Sequence, residues 1–66
     1  MSRKDYVRIA AAIKAARAEI VAEEPEEFHS ELLDGVAYVA DFLADALKAD
    51  NPSFDRTRFL TACGLK

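Results

Sequence analysis

Apolar residues recur at three- and four-residue spacing along most of the chain, which is the period of an amphipathic α-helix. Near the start, this stripe consists of Tyr6, Ile9, Ile13, Ala16 and Ile20. Ser2 precedes the stripe as a candidate N-cap, and Asp5, three positions later, can bond back to the Ser2 amide in a capping box. The pattern therefore predicts a first helix over residues 3–22.

A second apolar pattern follows Pro25 and is wider than the first. Proline is tolerated in a first helical turn, and Pro52 marks the end because proline disfavours helical geometry in the residue before it. We predict a helix over residues 25–49. Its apolar residues cover about 200° of the circumference, whereas an ordinary surface helix shows about 100°. Gly35 lies in the middle, where we expect it to permit a close helix approach.

The third predicted helix is short, over residues 56–63, and both its ends are marked in the sequence. Asp55 is the expected N-cap, and the spacing of Phe54 and Phe59 is typical of a hydrophobic staple. Gly64 is expected to end the helix in the left-handed conformation. A helix this short does not persist alone, so its apolar residues must dock against the first two helices.

Together these patterns predict an all-α, single-domain fold of 66 residues. It consists of a long antiparallel helical hairpin plus a short C-terminal helix. Hydrophobic residues make up 52% of the chain, but 13 of them are alanines, so the core is thin. One partner helix cannot cover the wide arc of the second helix, and we therefore predict a homodimer. The expected dimer interface is Phe28, Leu32, Val39 and Phe42.

The most ordered charge pattern is an acidic stripe on the second helix. The formal net charge is −3. A solvated helix face is the default interpretation of such a stripe, but like charges at helical spacing mildly destabilise a helix, which favours a neutralising partner. We predict that the stripe binds a basic protein. Its residues are Glu27, Glu31, Asp34, Asp41 and Asp45, with Tyr38 among them.

Two strings resemble a known group of proteins. The opening string is Ser2-Arg3-Lys4-Asp5-Tyr6 followed by Ile9-Ala10, and the closing string runs from Ala49 to Gly64 as ADNPSFDRTRFLTACG. They resemble short helical proteins of unknown function encoded in tailed bacteriophages and prophages. The resemblance covers roughly a third of the chain. It implies a phage accessory protein that acts in the cytoplasm of a bacterial host, and it implies no reaction and no site residues.

Two alternatives use other residues. Arg56 and Arg58, with Lys66 nearby, indicate a small nucleic-acid-binding regulator, since arginine contacts guanine edges and phosphates. The basic edge of the first helix would contribute as well, and it consists of Arg3, Lys14 and Arg17. The acidic stripe opposes this, and both arginines can instead pair with acids such as Asp50 or Asp55. Glu26 and His29 match a half-site of di-iron carboxylate bundles, and a dimer would supply two. A histidine that caps or packs at the helix entrance explains His29 more simply.

The remaining features argue against catalysis and membrane insertion. Cys63 is the single cysteine, which excludes an intrachain disulfide and suits a reducing compartment. No apolar run is long enough for a membrane span or a signal peptide. No phosphate loop or catalytic triad is found, so we expect a non-enzymatic protein without a cofactor, a bound metal or a small-molecule substrate.

Overall fold

The computed structural model describes residues 1–65, and these residues form three α-helices and no strand. Helix α1 spans Arg3–Glu23, α2 spans Glu26–Asp50 and α3 spans Arg56–Ala62. This confirms the all-α prediction, and the bounds lie within one residue of those expected from the sequence. Lys66 lies outside the described residues.

Helix α1 begins with the expected capping box. The Ser2 backbone N–H donates to Asp5 Oδ2 at 3.0 Å, and the Ser2 hydroxyl donates to the same oxygen at 3.2 Å. These hydrogen bonds favour the ionised carboxylate and lower the pKa of Asp5 below its ordinary value. The cap thus uses an amide that the helix itself cannot satisfy.

The start of α3 is fixed by a backbone hydrogen bond to its N-cap and by the packing of two aromatic rings. The Arg58 amide donates to Asp55 Oδ1 at 3.0 Å, which makes Asp55 the N-cap. The rings of Phe54 and Phe59 lie 5.4 Å apart between centroids, as a hydrophobic staple requires. Both rings are buried, so the cap and the core are built from the same few residues.

The end of α3 is a Schellman motif. Gly64 has φ 86°, the left-handed conformation that glycine adopts without strain. The Leu65 amide donates to the Leu60 carbonyl at 2.9 Å, and the Gly64 amide donates to the Thr61 carbonyl at 3.0 Å. Arg17 of α1 reaches this turn as well, because its Nη1 donates to the Gly64 carbonyl at 2.7 Å. The turn is therefore fixed by its own backbone and by α1.

The buried core lies at one end of a molecule that is 39 Å long. Between residues 11 and 39 no side chain is buried. We call residues 1–13 and 40–65 the three-helix end, and residues 14–39 the two-helix end. The predicted α1 stripe contacts the core through Tyr6, Ile9 and Ile13, but Ala16 is exposed. The buried residues are Ala10, Ala40, Ala44, Leu47, Phe54, Phe59, Leu60 and Cys63.

The loop between α2 and α3 is held by polar contacts from both long helices. Lys48 Nζ donates to the Pro52 carbonyl at 2.6 Å and to the Phe54 carbonyl at 3.1 Å. From α1, the Tyr6 ring meets the Phe54 ring edge-on, with 4.8 Å between the ring centroids. The Tyr6 hydroxyl also accepts a hydrogen bond from Asn51 Nδ2 at 3.4 Å. These contacts fix the direction in which α3 leaves the loop.

Candidate protein interface

Helix α2 exposes one apolar face that nothing in the described chain covers. The exposed fractions of Phe28, Leu32, Val39 and Phe42 are 47%, 41%, 65% and 62%. These are the residues predicted to form a dimer interface. The core residues of α2, such as Ala44 and Leu47, lie about 100° or more around the helix from this face. Large exposed apolar residues in a contiguous patch mark interaction sites more often than scattered ones do.

The spacing of this face follows a heptad pattern. Exposed residues with small or apolar side chains occur at successive steps of four, three, four, three and four positions along α2. Such alternation has a mean period of 3.5 residues, which keeps one narrow stripe facing a partner helix. We call this stripe the apolar seam. It consists of Phe28, Leu32, Gly35, Val39, Phe42 and Ala46.

Gly35 lies at the centre of the seam and has open space around it. A Cβ built on Gly35 meets no atom within 4 Å. The prediction that Gly35 permits a close helix approach is therefore wrong for contacts within this chain, because α1 and α3 pack on a different side of α2. Its helical backbone has no positive φ either, so no local geometry requires glycine at this position.

A band of acidic residues borders the seam. It is the acidic stripe predicted from the sequence, and we call it the acidic border: Glu27, Glu31, Asp34, Asp41 and Asp45, with Tyr38. Tyr38 is 68% exposed, and its ring lies 5.1 Å from that of Phe42 between centroids. Among residues 1–65, Glu27, Glu31 and Asp34 make no ion pair. This half of the border therefore presents uncompensated negative charge beside exposed aromatic surface.

The other half of the acidic border is compensated by α3. Arg56 Nε lies 2.9 Å from Asp45 Oδ1, and Arg56 Nη2 lies 3.8 Å from Asp41 Oδ1. The Nε–H does not point at a carboxylate oxygen, so the contact is an ion pair without a good hydrogen bond. The suggestion that Arg56 pairs with Asp50 or Asp55 is wrong, because the docking of α3 brings it against Asp41 and Asp45 in the C-terminal half of α2.

The basic residues of the nucleic-acid alternative are divided between two places. Arg56 lies against the acidic border, whereas Arg58 lines a cleft of about 390 Å³ at the three-helix end, together with Arg3 and Tyr6. Arg17, on the basic edge of α1, donates to the Gly64 carbonyl. Arg3 and Arg58 therefore line the same cleft, and neither of them makes an ion pair among residues 1–65.

His29 lies at the entrance of α2 and contacts the end of α1. Its Nε2 is 2.7 Å from the Glu24 backbone carbonyl, which can only accept, so this nitrogen carries the proton. The contact satisfies a carbonyl near the C-terminus of α1, as a capping histidine would. Within residues 1–65, no group of three or more acidic, histidine or cysteine side chains could hold a metal ion. Glu26 and His29 therefore gain no further ligand from the fold.

Cys63 behaves as a small core residue. Its side chain is fully buried with Phe59 and Leu60. Burial raises the pKa of the Cys63 thiol, against a smaller opposing effect of Arg17. A raised pKa lowers the thiolate fraction, and the thiolate is the nucleophilic form. The arrangement favours packing over reactivity.

Comparison of the chain with protein-family models, with curated proteins and with solved structures gives no significant match. None of the helices within residues 1–65 is long and apolar enough to cross a membrane.

Proposed function

We propose that the chain is a non-enzymatic protein–protein interaction module that binds through α2. The observation that supports this is the apolar seam, which stays exposed on a helix that packs into the core through another side. Interfaces commonly combine such an apolar centre with a polar rim. Here the acidic border supplies the rim on one side of the seam.

The part of the acidic border that has no internal partner points to a basic protein. Glu27, Glu31 and Asp34 lie within two helical turns, and the exposed Tyr38 adjoins them. Charge complementarity accelerates association and disfavours wrong partners, while exposed aromatic residues supply contact area. Asp41 and Asp45 contribute less to such a contact, since Arg56 already offsets their charge.

The apolar seam itself is proposed to bind a second copy of the chain. A core as thin as this one gives a short chain little net stability, and association adds buried apolar area. We also propose that α1 and α2 form an antiparallel hairpin. Contacts at both ends support it, because His29 meets Glu24 at one end and Asn51 meets Tyr6 at the other.

The biological setting follows from the resemblance to phage and prophage proteins. On that basis we propose a phage accessory protein that acts in the cytoplasm of a bacterial host, where its basic partner is a host or phage protein. A role in modulating host defence fits a small acidic module of this kind, because many proteins that act on nucleic acid carry basic surfaces.

Charge reversal tests the basic partner. The triple variant Glu27→Lys, Glu31→Lys, Asp34→Lys is compared with a control variant, Glu19→Lys, Glu23→Lys, on exposed positions of α1. Proteins captured from host lysate by the unchanged chain are identified and then titrated individually with each variant. We expect the triple variant to bind at least ten times more weakly and the control to bind as before. Equal weakening by both variants, or no reproducible capture, contradicts the proposal.

Paired substitutions of exposed valines test the second copy. Val39 is in the seam and Val7 is on α1, and their exposed fractions of 65% and 59% are similar. Sedimentation at micromolar concentration should give a dimer for the unchanged chain and for Val7→Lys, and a monomer of 7.3 kDa for Val39→Lys. A dimer that survives Val39→Lys contradicts the placement of the contact on the seam.

One observation keeps the nucleic-acid alternative as a second candidate, namely that Arg3 and Arg58 line the same cleft. Phosphate contacts by arginine weaken steeply as salt is added. A labelled duplex should therefore shift at low salt with the unchanged chain and not with Arg3→Ser, Arg58→Ser. The absence of any shift at low salt would rule out this candidate.

A further inference from the structure

The side-chain sizes along the apolar seam fit a second copy of the seam more evenly in the opposite direction than in the same direction. From the N-terminal side the sizes run large, large, absent, medium, large and small. When a second seam is laid alongside in the opposite direction, Phe28 faces Ala46, Leu32 faces Phe42 and Gly35 faces Val39. Two of these three layers combine a larger residue with alanine or glycine, and the third pairs Leu32 with Phe42, so no layer is left empty, as close packing requires.

A parallel arrangement of the same seam packs poorly. Each residue would then face its own copy, so the Gly35 layer and the Ala46 layer would be nearly empty while Phe28 would face Phe28. Empty layers forfeit contacts and leave cavities, and crowded layers force side chains out of favoured rotamers. Other antiparallel registers, shifted by one heptad, leave either Phe28 or Phe42 and Ala46 without a facing residue.

From these observations we infer that two copies of the chain pair through α2 in antiparallel orientation, with Gly35 of each copy facing Val39 of the other. The inference rests on the second-copy contact proposed above and adds its direction and register. It also gives Gly35 a role that the contacts within one chain do not supply, since its open side faces outward along the seam. The arrangement is two-fold symmetric, so the same six positions of each copy form the contact.

The charges beside the seam are compatible with this register. On the acidic side, Asp45 of one copy would approach Glu31 of the second copy, and two facing carboxylates repel each other. Arg56, whose Nε lies 2.9 Å from Asp45 Oδ1, would provide the positive charge at that point. On the other side of the seam, Val36 would approach Val36 of the second copy. Arg56 of α3 therefore offsets the repulsion between these two carboxylates.

Electron-spin distance measurements test the direction. Single labels at Glu27→Cys or Asp34→Cys, in a Cys63→Ala background checked by circular dichroism, occupy exposed positions of the acidic border. In the antiparallel register Glu27 faces residue 47 of the second copy, so the two Glu27 positions lie about 30 Å apart along the helix axis. The two Asp34 positions lie about 9 Å apart along the same axis. We expect the Glu27 labels to lie clearly farther apart than the Asp34 labels.

Each other outcome overturns a defined part of the account. Equal distances for the two labels indicate parallel pairing, which overturns the inference and leaves the proposed second-copy contact intact. No dipolar coupling for either label, together with a monomer in sedimentation of the unlabelled chain, overturns both. As a check that does not depend on labels, Arg56→Glu should weaken the dimer at least tenfold, while Arg58→Glu, outside the register, should leave it unchanged. Equal effects of these two variants would contradict the predicted register.

Discussion

The two ends of this molecule are built from similar amounts of helix but differ in what holds them together. The three-helix end contains every buried side chain described, and α3 closes it with a cap, a staple and a glycine turn. The two-helix end contains none, although Phe28 and Leu32 there are large and apolar. The difference teaches that apolar content alone does not make a core. Within residues 1–65, side chains are fully buried only at the end where α3 packs against both long helices.

The largest expected effect tests where the stability lies. Leu60 is 1% exposed at the three-helix end, and Leu32 is 41% exposed at the two-helix end. Leu60→Ala should lower the free energy of unfolding by about 2–5 kcal/mol, as large-to-small core substitutions do, which approaches the whole stability of so short a chain. Leu32→Ala should cost the monomer less than about 1 kcal/mol. Urea unfolding followed by circular dichroism gives both values, and similar losses would remove the distinction between the ends.

A smaller loss is expected at the turn that ends α3. Gly64→Ala would place a side chain at φ 86°, and its Cβ would lie 2.8 Å from Arg17 Nη1. The strained backbone and the displaced guanidinium should together lower the free energy of unfolding by about 1–3 kcal/mol. Thermal unfolding measures the change. An unchanged midpoint would mean that the Schellman turn contributes little to closing the three-helix end.

The same substitution at the other glycine should have the opposite sign. Gly35 is in mid-helix, with no atom within 4 Å of a built Cβ, so alanine adds helix propensity without a clash. Gly35→Ala should raise the stability of the monomer by about 0.5–1 kcal/mol. Urea unfolding at a concentration too low for association isolates this effect. A loss of stability would reveal a close contact at the two-helix end.

The smallest expected effect is a dependence on pH at the start of α1. The Asp5 carboxylate accepts two hydrogen bonds from Ser2, which lower its pKa in the folded state. A carboxyl whose folded pKa is lowered stabilises the fold above its unfolded pKa of about 3.9, and this contribution is lost as pH falls through the folded value. Asp5→Asn should therefore be less stable than the unchanged chain near pH 6, and the two melting temperatures should converge near pH 2. A constant difference across that range would show that ionisation of Asp5 is not involved.

What the sequence predicted best are features that depend on neighbours along the chain. The capping box at Ser2, the Asp55 cap, the staple and the Gly64 turn each involve residues at most five positions apart, so spacing and residue type suffice. The extent of the helices follows for the same reason, from Pro25 and Pro52 and the apolar period.

What the sequence could not predict depends on how α3 docks. Arg56 pairs with Asp41 and Asp45 rather than with its nearer acids, and Arg17 reaches the Gly64 carbonyl across 47 positions. Lys48 of α2 likewise donates to the Pro52 and Phe54 carbonyls of the loop that leads into α3. No period or motif encodes such contacts, because they arise when one helix is placed against another.

The candidate interface was predicted in part. The width of the apolar arc on α2 indicated that residues such as Val39 and Phe42 exceed what one chain covers, and both are exposed. That the acidic border is half compensated was beyond the sequence, since the compensating charge comes from α3. The dimer and the basic partner stay predictions until they are measured.

The absence of buried side chains between residues 11 and 39 has a consequence for how such a chain can diverge. Substitutions of side chains that are exposed or only partly buried cost a fold less stability than substitutions in its core. The binding surface can therefore change at the two-helix end while the three-helix end keeps its core. The stability of the fold and the specificity of binding then depend on different segments of the same 66 residues.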